Sequence, residues 1–302
     1  MKPHSWNEWD RLREVIIGDA SFANWPRQDP VFRNQTTAWT ATPIPSGPVP
    51  QWIIDETNQD LQTLCDILQD LGVVVHRPRN KNFQELDGFY NYCPRDRLLV
   101  AGDCVVDVAM LYPCRDQELE SIEHLFDLGS MITMPRDQGL ILDAANIARL
   151  NDRWIFLQSQ SGNRPAATWL QKQFPNIDIE ICDAYNGVHI DSTIVPLRDG
   201  VVLLNASRVT KHTLPRSLKG WTCIWFEDCV EQGFYQYPYA SKWIGMNTLS
   251  VDPHTVIVDK QQHQLIKQLE QHNFTVIPHE LRHSRTLGGG FHCVSLDLVR
   301  QH

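Results

Sequence analysis

The sequence predicts an α/β protein in which one small module recurs, a pattern that suits a closed, pseudo-symmetric array. Three segments share the order amphipathic helix, turn residue, β-branched strand. Short apolar runs of strand character surround them. The module returns roughly every 50 to 60 residues, as in a pseudo-symmetric array. An open doubly wound sheet would also alternate strands and helices. Against it, no glycine-rich phosphate loop joins a strand to a helix here.

In chain order, REVIIG reads as the first strand. Ala20 to Pro50, rich in Pro, Thr, Asn and Gln, reads as a long surface loop, either mobile or covering a site. DETNQDLQTLCDILQDLG is the first helix, with Leu61, Leu64, Leu68 and Leu71 on one apolar face. Gly72 suits the left-handed position that ends a helix, and VVVHRP follows as a strand. DRLLVAGDCVVDV and RWIFLQS read as strands. RPAATWLQKQF is the second helix, leading to the strand PNIDIEICD. DSTIVPL, GVVLLN, NTLSV and TVIVD are further strands. The third helix, DKQQHQLIKQLEQHN, ends on Asn273, a common second choice for positive φ, before FTVIPH.

The 302 residues are 42% hydrophobic and 21% charged, ordinary for a globular protein that needs no staple. A net charge of −9 without a Lys/Arg run argues against nucleic acid and suits a small cationic ligand. No apolar stretch reaches the roughly 18 residues of a membrane helix, and no secretory h-region follows the start. Eight cysteines without a C-x-x-C pair point to a reduced, cytoplasmic protein with mostly buried thiols.

Near the C-terminus, HSRTLGGGFHCVSLDL places Cys293 after Gly288, Gly289 and Gly290. Glycines let a ligand approach the main chain, so Cys293 is either an accessible nucleophile or a buried thiol after a tight turn. Cys65, Cys104 and Cys182 lie in apolar elements and read as packing. In GVHIDSTIVPL, His189 and Asp191 are two apart and would share one face of a strand. Asp143, in LILDAANIARL, either orients a histidine or caps a helix. Asp96, in YNYCPRDRLLV, and Arg208, in LLNASRV, read locally as a turn residue and a loop charge. HELRH, residues 279–283, matches a zinc-protease pattern. That pattern needs a helix, and here it follows a strand and Pro278 directly.

The ordered motifs CPRD, LDAAN, SGN, HIDSTIVPL, WIGMN and GGGFHC resemble those of the arginine amidinotransferases over nearly the whole chain. IPSG, DSTIVPLR and HSRTLGGGFHC are most similar to the inosamine-phosphate branch, and the glycine amidinotransferases are more distant. The resemblance implies a five-bladed, pseudo-symmetric α/β propeller of ββαβ modules, with residues 1–302 as one catalytic domain. It implies transfer of the amidino group of L-arginine to an acceptor amine, through an amidino-cysteine and with release of ornithine. This is a reaction of secondary-metabolite biosynthesis that needs no metal or organic cofactor. Homodimers are common in such a family. By position, Cys293 becomes the nucleophile, His189 the general acid/base and Asp143 its orienting carboxylate. Asp96 and Asp191 hold the guanidinium, and Arg208 holds the donor carboxylate.

Two rivals stand beside this reading. One is an arginine deiminase or dihydrolase on the same scaffold; the other is a non-catalytic binding protein. The chain also departs from the family pattern. Residues 107–110 are DVAM where Glu-Ala-Pro-Met is usual, and the segment between Met110 and Asp143 is short. Those departures bear on the acceptor, for which Arg115, Arg136 and Lys211 are the candidate cations if it carries phosphate.

Overall fold

In the computed structural model, residues 2–34, 42–126 and 131–301 are described. The apolar runs are short, and they build five small three-stranded sheets instead of one large one. Four of these are continuous in sequence. They are Leu98–Ala101, Cys104–Asp107 and Met131–Thr133; Ile147–Leu150, Arg153–Leu157 and Asp178–Cys182; Ile194–Arg198, Val201–Asn205 and Thr222–Phe226; and Leu249–Asp252, Thr255–Asp259 and Thr275–His279. In each, the first two strands form an antiparallel pair and the third lies parallel to the second. The fifth sheet joins the two ends of the chain. Ser295–Gln301 runs antiparallel to Arg11–Ile17, which pairs in parallel with Val74–His76. Neighbouring sheets meet through their first strands and the turns leading into them, so the five are the blades of a closed α/β propeller.

A parallel pair needs a crossover. In three blades it is an α-helix, Gln51–Asp70, Arg164–Gln173 or His263–Gln271, as the sequence predicts. Gly72 (φ 80°) and Asn273 (φ 63°) take the left-handed positions expected after the first and third helices. In the other two blades the described residues of the crossover carry 3-10 turns, including Pro113–Ser121 and Arg216–Leu218, and no α-helix. The module is therefore less uniform than the ββαβ expectation. Pro113–Ser121 buries Arg115, Glu118 and Ser121, a polar set instead of an apolar stripe. The described parts of the stretch 20–50 form regular elements. Asn24–Trp25 pairs with Gly47–Pro48, and Asp29 caps the short helix Pro30–Arg33, which buries Phe32. Residues 35–41 of that stretch lie outside the described residues. No helix among the described residues is long and apolar enough to cross a membrane.

Apolar clusters fill the spaces between blades and crossovers, but where the first strands converge the interior is ionic. Arg149, on the strand Ile147–Leu150, donates to Glu8 at 2.8 Å and to Asp297 at 2.7 Å. Asp297, on the closing strand, also pairs with Arg95 and Arg300. Arg300 in turn donates to the Ser250 carbonyl of the last blade at 3.0 Å. The side chains of Arg149 and Asp297 are 1% and 0% exposed. Burial alone would push the Asp297 carboxyl up, but Arg149, Arg95 and Arg300 together hold it well below the usual carboxylate range. The Glu8 carboxyl, also fully enclosed, is held down by Arg149 and His292.

Asp297→Ala would leave three buried arginines short of countercharge, which costs about 3–5 kcal/mol for such a group. The urea midpoint should fall accordingly with little change in slope, and an unchanged midpoint would show that the network contributes nothing. Glu8 and Asp297 both have depressed values, so their contribution is complete above the unfolded carboxylate value of about 4. It should be lost as pH falls further, through their lower folded values.

Candidate active site

One cavity collects all six residues named from the sequence: Asp96, Asp143, His189, Asp191, Arg208 and Cys293. They come from four blades, His189, Asp191 and Arg208 sharing one, and each lies in the loop that leads into or out of a strand of its blade.

Cys293 sits in the turn just before the closing strand Ser295–Gln301. Gly288 (φ 80°) ends the short helix Ser284–Leu287 in the left-handed region. The next two glycines are required by space. A Cβ on Gly289 would lie 2.4 Å from the Cys93 sulfur, and one on Gly290 would lie 2.7 Å from the Asn247 Cβ. Asn247, from WIGMN, fixes the turn. Its Oδ1 accepts from the backbone N–H of His292 (2.8 Å) and of Cys293 (3.1 Å), while its Nδ2 donates to the Asp191 carbonyl (3.2 Å). The Cys293 sulfur lies 3.3 Å from Asp191 Oδ2. The adjacent Cys93 thiol, burial and the Asp191 charge hold the Cys293 thiol well above the usual range, and His189 offsets them only in part. Cys93 thus belongs to the site, although nothing in CPRD distinguishes it from a packing thiol.

His189 and Asp191 do share one space, but not by strand alternation. The strand begins only at Ile194. His189 instead has φ 59°, which is rare for a residue with a side chain and costs on the order of 1–3 kcal/mol. Neighbours hold it there. Its N–H donates to Asn146 Oδ1 (3.1 Å), and its carbonyl accepts from the Tyr185 hydroxyl (2.6 Å). Asp143 stands at the cap position of the turn Ala144–Asn146, yet its side chain makes no capping bond. One oxygen accepts from Leu111 N–H (3.1 Å) and the other lies 3.0 Å from His189 Nε2. Asp143 therefore meets the imidazole and does not cap the turn. His189 Nδ1 lies 3.6 Å from Asp96 Oδ1. Burial opposes charge on the ring, but Asp96 and Asp143 outweigh it and hold the His189 pKa well above the usual imidazole value.

Asp96 is anchored by Arg115, which donates to its Oδ2 at 2.7 Å and forks onto Glu118 at 2.8 and 2.9 Å. Its Oδ1 is buried without a hydrogen-bond partner. Asp191 accepts from His292 (2.9 Å), whose other ring nitrogen is 3.3 Å from Glu8. His292 thus joins the site to the central ion network, and nothing in its local sequence announces this. Burial would raise the Asp191 carboxyl, but His292 and His189 keep it below the usual range. Arg208 donates to Thr193 Oγ1 (2.8 Å) and Ser241 Oγ (3.3 Å) and lies over the Tyr185 ring. No carboxylate pairs with it among the described residues. Of the cations considered for a phosphorylated acceptor, Arg115 is saturated, Arg136 is paired with Asp107 and Asp116, and Lys211 is exposed on a turn.

HELRH does not form the helix its zinc reading requires. His279 ends a strand, His283 lies 2.8 Å from Glu56, and Arg282 is spent on Asp60. Among the described residues, no group of three or more potential ligands is placed to hold a metal.

Because the Cys293 thiol is raised, ligand-free enzyme should be alkylated slowly by iodoacetamide at neutral pH. Modification of the Cys293 peptide should still be accelerating past the ordinary thiol value of about 8.5. A rate already flat at pH 7 would contradict the electrostatics described here.

No protein-family model matches the sequence. Individual proteins do. An inosamine-phosphate amidinotransferase of Streptomyces glaucescens is 38% identical over 97% of this chain and 95% of its own. An L-arginine:L-lysine amidinotransferase of Pseudomonas savastanoi is 28% identical over 98% of this chain and 94% of its own. The solved inosamine-phosphate amidinotransferase of Streptomyces griseus superposes with a TM-score of 0.93 at 36% identity, covering 99% of this chain and 97% of that one. A dimethylarginine dimethylaminohydrolase, at 15% identity and a TM-score of 0.66 over 94% of this chain and 99% of its own, shares the fold alone. The chain belongs to the amidinotransferase family.

Proposed function

We propose that this enzyme moves the amidino group of L-arginine to an acceptor amine through a covalent intermediate on Cys293, with residues 1–302 acting as one catalytic domain. The observation that carries the reading is the convergence of a thiol, a carboxylate-held imidazole, two further carboxylates and one guanidinium without a carboxylate partner in a single cavity. The arginine donor is further supported by a 28% identical relative whose name includes L-arginine.

A guanidinium is a poor electrophile because its charge is delocalised, so it must be held close to the sulfur. Asp96 Oδ1 and the Asp191 carboxylate are acceptors suited to its N–H groups, each charge-assisted bond contributing about 1.5–3 kcal/mol. Arg208 would take the donor carboxylate. Cation binding beside Asp191 neutralises the charge that raises the thiol, which favours loss of the Cys293 proton to solvent, since His189 is already protonated. The thiolate attacks the guanidinium carbon, and protonated His189 gives its proton to the departing nitrogen. Ornithine leaves and an amidino-thioether remains. The neutral acceptor amine then attacks the same carbon, His189 takes its proton, and the C–S bond breaks to restore the thiolate. Asp143 keeps the ring oriented in both halves. Such proton transfers contribute about 10²–10⁴-fold, and proximity supplies much of the rest.

Arginine without acceptor should add one amidino group to the Cys293 peptide, and Cys293→Ala should abolish the adduct. Unlabelled arginine with labelled ornithine should yield labelled arginine. Rapid citrulline or ammonia release with negligible exchange would instead establish a deiminase or dihydrolase.

Agmatine is arginine without the carboxylate that Arg208 would hold. Wild type should therefore strongly prefer arginine, and Arg208→Ala should lose most of that preference. Undiminished discrimination by the variant would remove Arg208 from donor recognition.

A further inference from the structure

We infer that Cys93 is the resolving thiol of Cys293. A peroxide that reaches the cavity closes a Cys93–Cys293 disulfide, which masks the nucleophile and shields it from irreversible oxidation. This chemistry is separate from amidino transfer and does not depend on it.

The proposed reaction gives Cys93 no part, yet it stands directly against the nucleophile. The two thiols interact side chain to side chain. Gly289 packs against both: a Cβ there would lie 2.4 Å from the Cys93 sulfur and 3.2 Å from the Cys293 Cβ. Any side chain at that position would crowd the pair. The segments that carry the two thiols are bound together along their length. The Tyr92 hydroxyl donates to the Gly289 carbonyl (3.1 Å), the Arg95 N–H to the Cys293 carbonyl (3.4 Å) and Arg95 Nε to the Ser295 carbonyl (2.8 Å). Arg115 Nη2 donates to the Cys93 carbonyl at 3.2 Å. A disulfide needs two cysteines whose backbones are already close. Here hydrogen bonds hold those backbones side by side, so closing the bond asks for side-chain rotation and not for a loop to move.

Access is unequal. Cys293 lines the cavity, whereas Cys93 is 0% exposed and does not line it. An oxidant therefore meets Cys293 first. The Cys293 thiolate takes one oxygen from the peroxide, giving a sulfenic acid and hydroxide. The Cys93 sulfur then attacks the Cys293 sulfur. The S–S bond forms, the S–O bond breaks, and the hydroxyl leaves as water with the Cys93 proton. The hydroxide takes up the proton that Cys293 had lost. Two thiols are thus oxidised to one disulfide while one peroxide is reduced to two waters. Without Cys93 the sulfenic acid stays open to a second peroxide, and the resulting sulfinic acid is not restored by thiols.

The test treats the enzyme with hydrogen peroxide at about pH 9, above the ordinary thiol value of about 8.5, because the raised Cys293 thiol reacts faster as pH rises. Non-reducing peptide maps and arginine/ornithine label exchange are read before and after dithiothreitol. In wild type the Cys93 and Cys293 peptides should be cross-linked with loss of two hydrogens. Exchange should fall and then return to most of its starting rate with dithiothreitol. Cys93→Ser should instead accumulate sulfinic acid at Cys293 that dithiothreitol does not reverse, each protein being compared with its own starting state. The wild-type map decides alone if the variant does not fold. The cross-link is also read whether or not exchange occurs, so absence of exchange removes the transfer reaction and leaves this test intact. Three results in wild type overturn the inference: sulfinic acid at Cys293 without the cross-link, a bridge from Cys293 to another cysteine, or both thiols intact after peroxide that oxidises the urea-unfolded chain. Recovery of Cys293 in folded Cys93→Ser as complete as in wild type also overturns it.

Discussion

Asp297 is the residue on which the rest of the molecule turns. A carboxylate enclosed at the meeting point of five sheets stays ionised only if cations are brought to it. Those cations come from different parts of the ring. Arg149 lies on the strand Ile147–Leu150, Arg95 precedes the strand Leu98–Ala101, and Arg300 shares the closing strand and reaches the strand Leu249–Asp252 through the Ser250 carbonyl. Pairing them therefore fixes the order and tilt of the blades. The same strand carries Cys293 a few residues earlier, and Arg95 also donates to the Ser295 carbonyl at 2.8 Å. The place of the thiol is thus set by charges outside the cavity.

From that centre the network runs outward to the cavity without a break. Arg149 holds Glu8, Glu8 faces one nitrogen of His292, and the other nitrogen of His292 faces Asp191. Asp191 is thereby kept ionised beside a thiol whose pKa it raises. With no cation beside it the negative charge disfavours the thiolate, and in the proposed reaction the donor guanidinium is the cation that this charge would hold. Alkylation of the ligand-free thiol is disfavoured for that reason.

The geometry at the reacting groups is held by uncharged side chains. One Asn247 carboxamide fixes the backbone of Cys293 and of Asp191 together. Asn146 and Tyr185 hold His189 in a backbone conformation it would not adopt alone. Two asparagines and a tyrosine thus convert loops from different blades into one rigid constellation, which is what chemistry requiring sub-ångström placement demands.

Period, patterning and turn residues in the sequence determine a good deal by themselves. The leucine face of Gln51–Asp70, the left-handed Gly72 and Asn273, and most of the short strands follow from local preference, and such preferences are properties of neighbouring residues. The six residues of the site are legible through ordered motifs, although local spacing leaves Asp143 between two readings and gives the wrong reason for pairing His189 with Asp191. Only the tertiary structure decides the rest. Cys93, His292 and Asn247 join the site through contacts across the ring, which no local pattern encodes. Arg115 changes from a candidate phosphate ligand to the support of Asp96 because Glu118 and Asp96 meet it in a closed space. Phe32, inside a stretch that reads as a surface loop either mobile or covering a site, becomes a wall of the cavity by packing on Phe89, Tyr112 and Tyr239. Charge compensation and close packing are properties of the assembled interior, and they appear only when the chain has closed.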